Sequence, residues 1–302
     1  MTETASDYKT KRTGFKEIKA DVKEQININF NVDLIEWFDE HYYKIILNGE
    51  TLAFPSPTTI LQVTDKSFIN KKRGEMGNQS FEEYVSEAQD RGTAVHRACE
   101  TLSTGGIVVY ANPQRPNFSI LELKEKYKNE NIHVVFDQFQ YLQAYRFEKF
   151  LHVIKPKILS TEKIVYNLQN EYAGKMDLEL LLNNEDIDFM INGSKALTLE
   201  NGIYIADVKT GKGIYQDNYL QVSAYMKAYQ KMFPNKKLQG GLIIHTNSQT
   251  KTGIEGLSVK LITLEDADKY FNDFLKIYEV WKINPSPSKP NFFELPSVLQ
   301  YR

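Results

Sequence analysis

Apolar and polar positions along the chain predict a mixture of helices and strands. Apolar residues recur every three or four positions within 80–103 and 136–153, which predicts two long helices. Two further helices are predicted at 216–232 and directly after Thr263. The predicted strands are 158–167, 172–182, 203–210, 239–246 and 256–263. This order predicts an α/β fold with a mixed central sheet flanked by helices.

N-terminal additions precede this core. Residues 1–25 are polar and form a predicted arm. Two apolar runs flank Asn48-Gly49 and predict a hairpin over 42–55, because both turn positions need positive φ. After the hairpin, hydroxyl side chains predict a helix start, and a basic triplet then falls in a predicted loop. These residues are Ser56, Thr58 and Thr59, and Lys71, Lys72 and Arg73.

Breaks in the pattern divide the chain. Pro113 and Pro116 predict a loop over 107–120. An acidic stretch at 183–201 predicts an inserted hairpin that turns at Asn192-Gly193. We therefore divide the chain into the arm and hairpin at 1–78, the core at 79–283 and the tail at 284–302.

Composition narrows the class of protein. The chain has 302 residues, of which 41% are apolar and 25% charged, so a wholly disordered chain is excluded. A single cysteine, Cys99, excludes an internal disulfide. The N-terminus has no apolar core for a signal peptide, and no apolar run approaches the roughly 18 residues that span a bilayer. We expect a cytoplasmic protein with no membrane partner. Its net charge of −2 argues against a basic coat for unspecific duplex binding.

The strand at 203–210 carries a carboxylate and an ammonium group on one face. Side chains alternate along a strand, so Asp207 and Lys209 share a face with Ile203 and Ile205. Two interpretations are open. The pair is an ordinary ion pair at the end of a sheet, or Asp207 is a metal ligand beside a lysine that positions a water molecule.

A second acid lies on the preceding strand. Alternation puts Asp177 on one face and Met176, Leu178 and Leu180 on the other. If the two strands are neighbours, Asp177 and Asp207 can converge on one cation, and Mg²⁺ prefers such oxygen ligands. Otherwise Asp177 is an exposed residue at the edge of the sheet.

Two sets of helical residues also allow both a structural and a functional interpretation. Gly92, His96 and Glu100 are spaced at i, i+4 and i+8, on one stripe of the first predicted helix. A helical histidine is more often structural or exposed, but His96 beside an acid can also bind a metal. Gln221 and Tyr225, spaced at i and i+4, either pack in the ordinary way or have a functional role, in which their polar ends reach the phosphate backbone or brace the lysine strand.

Taken in order, four segments resemble the RecB-like branch of the PD-(D/E)xK nuclease superfamily, over about residues 92–229. They are GTAVHRACE at 92–100, GKMD at 174–177, DVKTG at 207–211 and QVSAY at 221–225. Upstream, FPSPTTIL at 54–61 resembles a segment that opens phage exonucleases and the mitochondrial genome maintenance exonuclease. The resemblance implies a restriction-endonuclease-like core and a metal-dependent DNA exonuclease.

The resemblance also implies a role for each matched residue. Mg²⁺ or Mn²⁺ would be held by His96, Asp177, Asp207 and the carbonyl group of Val208. Lys209 would be the catalytic lysine, assisted by the Glu100 carboxylate. The remaining matched residues would support the site, and they are Glu162, Gln221 and Tyr225.

DNA is the partner that the resemblance implies, and we expect its single-stranded ends to be the substrate. Segment 1–78 would be where DNA enters, held by the hydroxyl and basic residues named above and by Lys212. The sequence has no phosphate-binding glycine loop of the Gly-Lys-Ser/Thr kind, so no nucleotide cofactor is expected and any ATP-driven motor is another chain. A recombination or replication protein of a bacterial cell or a phage-infected bacterium is the expected kind of protein partner.

Other functions are open at this point. A structure-specific endonuclease would use the same core, and a catalytically inactive nuclease fold would only bind DNA ends. The intact acid–acid–lysine set disfavours the inactive fold, because a pure binder does not need Asp207 and Lys209 together. A sugar hydrolase would need two carboxylates without the lysine.

Overall fold

The computed structural model describes residues 32–37, 40–47, 50–64, 67–111, 119–183, 187–191, 195–251 and 254–283. In chain order the strands are β1 (Val32–Trp37), β2 (Glu40–Leu47), β3 (Glu50–Pro55), β4 (Ile107–Tyr110), β5 (Ile132–Val135), β6 (Lys157–Asn167), β7 (Tyr172–Leu182), β8 (Ile187–Ile191), β9 (Lys195–Leu199), β10 (Gly202–Lys209), β11 (Leu238–His245) and β12 (Ser258–Ile262). The helices are α1 (Pro57–Ile60), α2 (Ser67–Met76), α3 (Asn78–Ser103), α4 (Ile120–Tyr127), α5 (Gln138–Ile154), α6 (Gln216–Met232) and α7 (Leu264–Ile283). The predicted arm at 1–25 and tail at 284–302 lie outside the described residues.

Five strands form the central sheet, in the order β12-β11-β10-β7-β6. β10 and β11 are parallel, while the other neighbouring strands in this sheet are antiparallel. The predicted α/β class with a mixed central sheet is therefore confirmed. The β10–β11 connection contains helix α6, as a parallel pair requires a crossover.

Helices cover both faces of this sheet. One buried cluster joins Ile205 and Ile243 of the sheet to Met226 of α6 and Phe274 of α7. The second cluster joins the opposite face to α3 and α5, with Val95, Phe147, Leu180 and Val208 among its members. Burying a large apolar side chain completely contributes about 1.5–3 kcal/mol, so these two clusters supply the main stabilisation of the sheet.

The N-terminal strands form a separate three-stranded antiparallel sheet, in the order β1-β2-β3. Tyr43 and Phe54 pack with Ala173, so this sheet rests on β7. The predicted hairpin is confirmed in β2 and β3, although its turn at 48–49 lies outside the described residues. The inserted hairpin is confirmed as the antiparallel pair β8–β9, which is not part of the central sheet, although its predicted turn at Asn192-Gly193 lies outside the described residues.

Two of the predicted loops are partly wrong. Residues 107–110 form β4, which pairs in parallel with β5, and Ile120 begins α4. A four-residue strand needs a partner to be recognised, and this partner is more than 20 residues away in sequence. The basic triplet at 71–73 lies in helix α2, because its lysines and arginine are good helix formers and Gly74 does not end the helix.

The predicted alternation along β7 is also wrong at one point. Met176 packs in the cluster with α6, whereas Leu178 and Leu180 pack in the cluster with α3. In the register of β6 and β7, Glu162 lies opposite Asp177, and its φ of 51° is in the left-handed region. A left-handed residue interrupts the regular pleat, so the side-chain alternation fails beside the second predicted acid.

Among the helices that the structure describes, none has the length and apolar character needed to cross a membrane.

Candidate active site

The central sheet brings the two predicted acids together. β10 and β7 are neighbours, and their antiparallel pairing runs up to Ala206 opposite Leu178. Asp207 and Asp177 come directly after this last pair. The Asp177 carboxylate accepts a hydrogen bond from the Val208 backbone N–H at 2.7 Å. The carbonyl role of Val208 stays a prediction.

Asp207 and Lys209 form a buried ion pair rather than a surface pair. The side chain of Asp207 is 4% exposed and that of Lys209 is 21% exposed. Lys209 Nζ lies 2.7 Å from Asp207 Oδ2, but the contact does not have the direction of a hydrogen bond. Within the described part of the chain, Oδ2 has no hydrogen-bond partner at all. Most buried oxygens accept at least one hydrogen bond, so an oxygen that has only an ion pair needs an explanation.

A chain of hydrogen bonds from α6 holds the lysine. Lys209 Nζ donates to Gln221 Oε1 at 2.9 Å, and Gln221 Nε2 donates to Tyr225 Oη at 2.8 Å. A Cβ atom on Gly174 would come within 2.4 Å of the Tyr225 ring, so glycine is required for the ring to approach β7. These contacts are the ones expected of a helical pair that braces the lysine strand.

The electrostatics of the acid pair are unfavourable as they stand. Burial, and next the negative charge of Asp207, raise the pKa of Asp177 to about 6. His96, Lys209 and the Val208 N–H oppose this shift without cancelling it. Two carboxylates that repel each other would be stabilised by further positive charge between them.

His96 reaches the same place from helix α3. Its Nδ1 lies 3.4 Å from Asp177 Oδ2. One turn earlier, a Cβ atom on Gly92 would lie 3.3 Å from Thr210 Oγ1, so α3 passes close to the residues that follow Lys209. Glu100, one turn after His96, is exposed.

The Glu162 carboxylate has a lysine as its partner. It forms an ion pair with Lys175 of β7, and both side chains are partly exposed. Its backbone conformation costs about 1–2 kcal/mol for a residue other than glycine. Its supporting role stays a prediction.

The donor set fits a hard divalent cation by its chemistry. Two carboxylates and one imidazole are ligands that Mg²⁺ and Mn²⁺ accept, and Asp207 Oδ2 is a buried oxygen without a hydrogen bond. In the described ranges, no three His, Cys, Asp or Glu side chains stand close enough to hold a metal together. Lys209 Nζ lies 2.7 Å from Oδ2, so a cation bound to this oxygen would take the place that the ammonium group holds.

The predicted hydroxyl cluster is mostly used inside the protein. Ser56 Oγ accepts from the Thr59 N–H at 3.0 Å and caps α1. Thr59 Oγ1 accepts from the His41 N–H at 2.8 Å, which ties α1 to β2. Thr58 alone of the three is exposed. The DNA-binding role of these residues stays a prediction.

Sequence reasoning missed the residues that fix the end of β10. The Thr246 N–H donates to the Lys209 carbonyl at 3.0 Å. Thr246 Oγ1 donates to Gln143 Oε1 at 2.8 Å, and Arg146 Nη1 donates to the Thr246 carbonyl at 2.9 Å. Gln143 and Arg146 lie on α5, about 60 residues before Lys209, and the single signal in the sequence is a glutamine on an otherwise apolar helix face.

Comparison with known proteins adds no relative, because no family model matches this chain and no curated protein matches it. What the site does must therefore be inferred from its own residues.

Proposed function

We propose that the protein is a metal-dependent deoxyribonuclease with a PD-(D/E)xK-type core, and that it hydrolyses phosphodiester bonds from single-stranded DNA ends. The observation that carries the proposal is the buried Asp207 carboxylate. It pairs with Lys209, its charge raises the pKa of Asp177, and one of its oxygens has no hydrogen-bond partner in the described residues.

The residues divide the chemical work. Asp177, Asp207 and His96 would hold Mg²⁺ or Mn²⁺, with the Val208 carbonyl as the fourth proposed ligand. A bound divalent ion would lower the pKa of a coordinated water molecule and neutralise charge on the scissile phosphate. Lys209 can donate hydrogen bonds to the attacking water or to a phosphate oxygen, where negative charge grows in the transition state.

Positioning comes from helix α6. Gln221 accepts from Lys209 and itself donates to Tyr225, so the ammonium group is restrained from two sides, by Asp207 and by Gln221. A restrained donor loses little entropy when the substrate arrives, and a misplacement of about 1 Å can cost on the order of 100-fold in rate.

The burial of the acids favours this function over the alternatives. A surface ion pair would not leave a buried carboxylate oxygen without a hydrogen bond. A protein that only binds DNA ends gains nothing from two repelling carboxylates, since they also repel phosphate. The same core can serve a structure-specific endonuclease, and a test with circular DNA separates the two activities.

The experiment compares end-labelled linear single strands, blunt duplexes and circular single strands, each with Mg²⁺, Mn²⁺, Ca²⁺ or EDTA. We expect Mg²⁺ or Mn²⁺ to support cleavage, and Ca²⁺ and EDTA not to support it, because the looser coordination of Ca²⁺ holds the water poorly. Linear single strands should be degraded fastest and circular strands should survive. Cleavage in EDTA would refute the metal mechanism, and rapid cutting of circles would refute the exonuclease.

A further inference from the structure

We propose that Lys72, Tyr84 and Lys212, here called the Tyr84 patch, form a subsite that stacks and holds one unpaired nucleotide of single-stranded DNA. The inference rests on the proposed function, because it places the strand that the candidate active site would cleave. It adds Tyr84, which the motif resemblance does not include. It also separates the predicted basic residues into those that are available to DNA and those that are not.

Three segments of the chain converge on Tyr84. The residue lies in the first turns of α3, and Lys72 of α2 places its Nζ 3.3 Å from the centre of the Tyr84 ring. Arg91 follows two turns later on α3, and Lys212 lies in the loop after β10. The Tyr84 side chain is partly exposed, and its pKa is lowered, mainly by hydrogen bonding to Lys72 and further by the charges of Lys72, Lys212 and Arg91. These charges are positive, which is the environment that a phosphate needs, although Arg91 also lies 3.3 Å from Glu87.

The cations of the predicted basic triplet differ in availability. Lys71 lies 3.9 Å from Glu75, and Arg73 lies 3.2 Å from Glu82, so each already has an acidic neighbour. Within the described residues, Lys72 forms no ion pair with an acid, and neither does Lys212. Lys72 and Lys212 can therefore contact phosphate without first breaking an internal pair.

The patch leads toward the candidate active site. Gly92 is eight positions after Tyr84, which is about 12 Å along a helix that rises about 1.5 Å per residue. At Gly92 the helix meets Thr210, the residue directly after Lys209, and Lys212 belongs to the same loop. A strand that stacks on Tyr84 and contacts Lys212 is therefore led to the residues that would cleave it.

A partly exposed aromatic ring beside cations favours single strands. Base stacking on an aromatic side chain needs an unpaired base, because the bases of a duplex are already stacked on one another. The simpler interpretation is that Lys72 on Tyr84 only fastens α2 to α3, which is worth about 0.5–1 kcal/mol as a cation–π contact at an exposed site. That interpretation predicts an effect on stability and none on DNA affinity.

The test measures binding of a labelled thymidine oligonucleotide by fluorescence anisotropy in EDTA, where the proposed cleavage is absent. We expect Tyr84→Ala to weaken binding about 10-fold and Tyr84→Phe to bind within about twofold of the parent, since phenylalanine keeps the stacking face. The double change Lys72→Gln with Lys212→Gln should lower the salt dependence of log Kd by about 1.4, which is two phosphate contacts at roughly 0.7 each for single strands. The affinity for a blunt duplex should change less in every variant.

The matched control is Tyr127→Ala on α4, where Lys126 lies 5.2 Å from the ring centre of an exposed tyrosine. It should leave Kd unchanged. Thermal unfolding of each variant separates a loss of fold from a loss of binding. If folded Tyr84→Ala binds as tightly as the parent, or if Tyr84→Phe loses as much as Tyr84→Ala, the subsite does not exist. Because the binding assay contains no metal, its result is independent of whether the wild-type protein cleaves DNA.

Discussion

Two buried carboxylates of the central sheet, Glu179 and Asp207, differ in how many hydrogen bonds they accept, although their neighbours are of the same kinds. Each lies beside lysine, and each is close to a tyrosine of α6. Glu179 has all the hydrogen bonds it can use, whereas one oxygen of Asp207 has none in the described residues. The difference separates a carboxylate that stabilises the fold from one that fits a chemical role.

Donor groups of the protein itself supply the hydrogen bonds that the Glu179 carboxylate accepts. Its side chain is 1% exposed and accepts hydrogen bonds from Lys163, Lys236, Tyr229 and Ser160. Burial alone would raise its pKa, but the hydrogen bonds from Lys163, Lys236 and Tyr229 outweigh burial and lower the pKa to about 2. The carboxylate therefore stays ionised at every pH at which the protein is expected to work.

In the described residues, the Asp177–Asp207 pair lacks a comparable set of hydrogen-bond donors. His96 and Lys209 lower the pKa of Asp177, but burial and the charge of Asp207 outweigh them and raise it to about 6. Functional sites often retain such unfavourable arrangements, because stability is given up for reactivity. The contrast predicts that substitutions at Glu179 change stability and that substitutions at Asp207 or Lys209 change activity.

The largest expected effect is on catalysis. Asp207→Asn and Lys209→Ala should each lower kcat at least about 100-fold, because each removes a ligand or a charge that stabilises the transition state. For Asp207→Asn the free energy of unfolding should stay within about 1 kcal/mol of the wild-type value, since a neutral amide in place of the carboxylate relieves the repulsion with Asp177. Lys209→Ala leaves the buried Asp207 carboxylate without its ion pair and should also lower stability, so its kcat is compared on the folded fraction. Initial rates on linear single-stranded DNA with Mg²⁺, together with urea unfolding, measure both. A folded variant with wild-type kcat would remove these residues from the site.

Glu179→Gln should lower stability and leave kcat nearly unchanged. A carboxyl group whose pKa falls from its ordinary 4.5 to about 2 on folding contributes about 3 kcal/mol of stability at neutral pH. We therefore expect urea unfolding to show a loss of about 3 kcal/mol, with kcat of the folded fraction within a few-fold of wild type. Glu200→Gln is the control, because Glu200 is exposed and its side chain bonds only to Gln239 among the described residues. An unchanged stability in Glu179→Gln would contradict the comparison.

Lowering the pH should cause the same loss of stability in the wild-type protein, because it protonates Glu179. The pKa of Glu179 is lower in the folded state, so its contribution is complete above about pH 4.5 and is lost as the pH falls toward about 2. Urea unfolding at a series of pH values, without divalent metal, should show about 3 kcal/mol less stability at the acid end. The same series on Glu179→Gln should lack this component, and parallel curves for the two proteins would show that another group is responsible.

The smallest effect compares two tyrosines one turn apart on α6. Tyr225→Phe removes the hydroxyl that fixes Gln221, and a hydrogen bond of about 1 kcal/mol corresponds to about a fivefold lower kcat. Tyr229→Phe removes the hydroxyl that donates to Glu179, so it should lower stability and leave kcat unchanged. The kcat and the urea unfolding curve of each variant measure these two effects. Equal losses of kcat in the two variants would mean that the tyrosines do not have separate roles, and would contradict the comparison.

Much of the fold could be predicted from local patterns. The predicted strand at 172–182 and the predicted helix at 216–232 coincide with β7 and α6. Apolar periodicity fixes the type of such long elements, and glycine and proline fix their ends. The short strand β4 was missed because its stability comes from pairing with β5, and no pattern within four residues records that pairing.

The sequence by itself determined which residues are able to do chemistry, since the Asp-x-Lys strand, the helical histidine and the Gln221–Tyr225 spacing are local features. Only the tertiary structure decided which carboxylate is neutralised. Lys163, Tyr229 and Lys236 reach Glu179 from 16, 50 and 57 residues away, while in the described part of the chain Asp207 pairs with one lysine, two residues along its own strand. Electrostatic energy depends on distance in space and on burial, not on separation along the chain, so two acids that look alike in the sequence become a structural ion cluster and a candidate catalytic site.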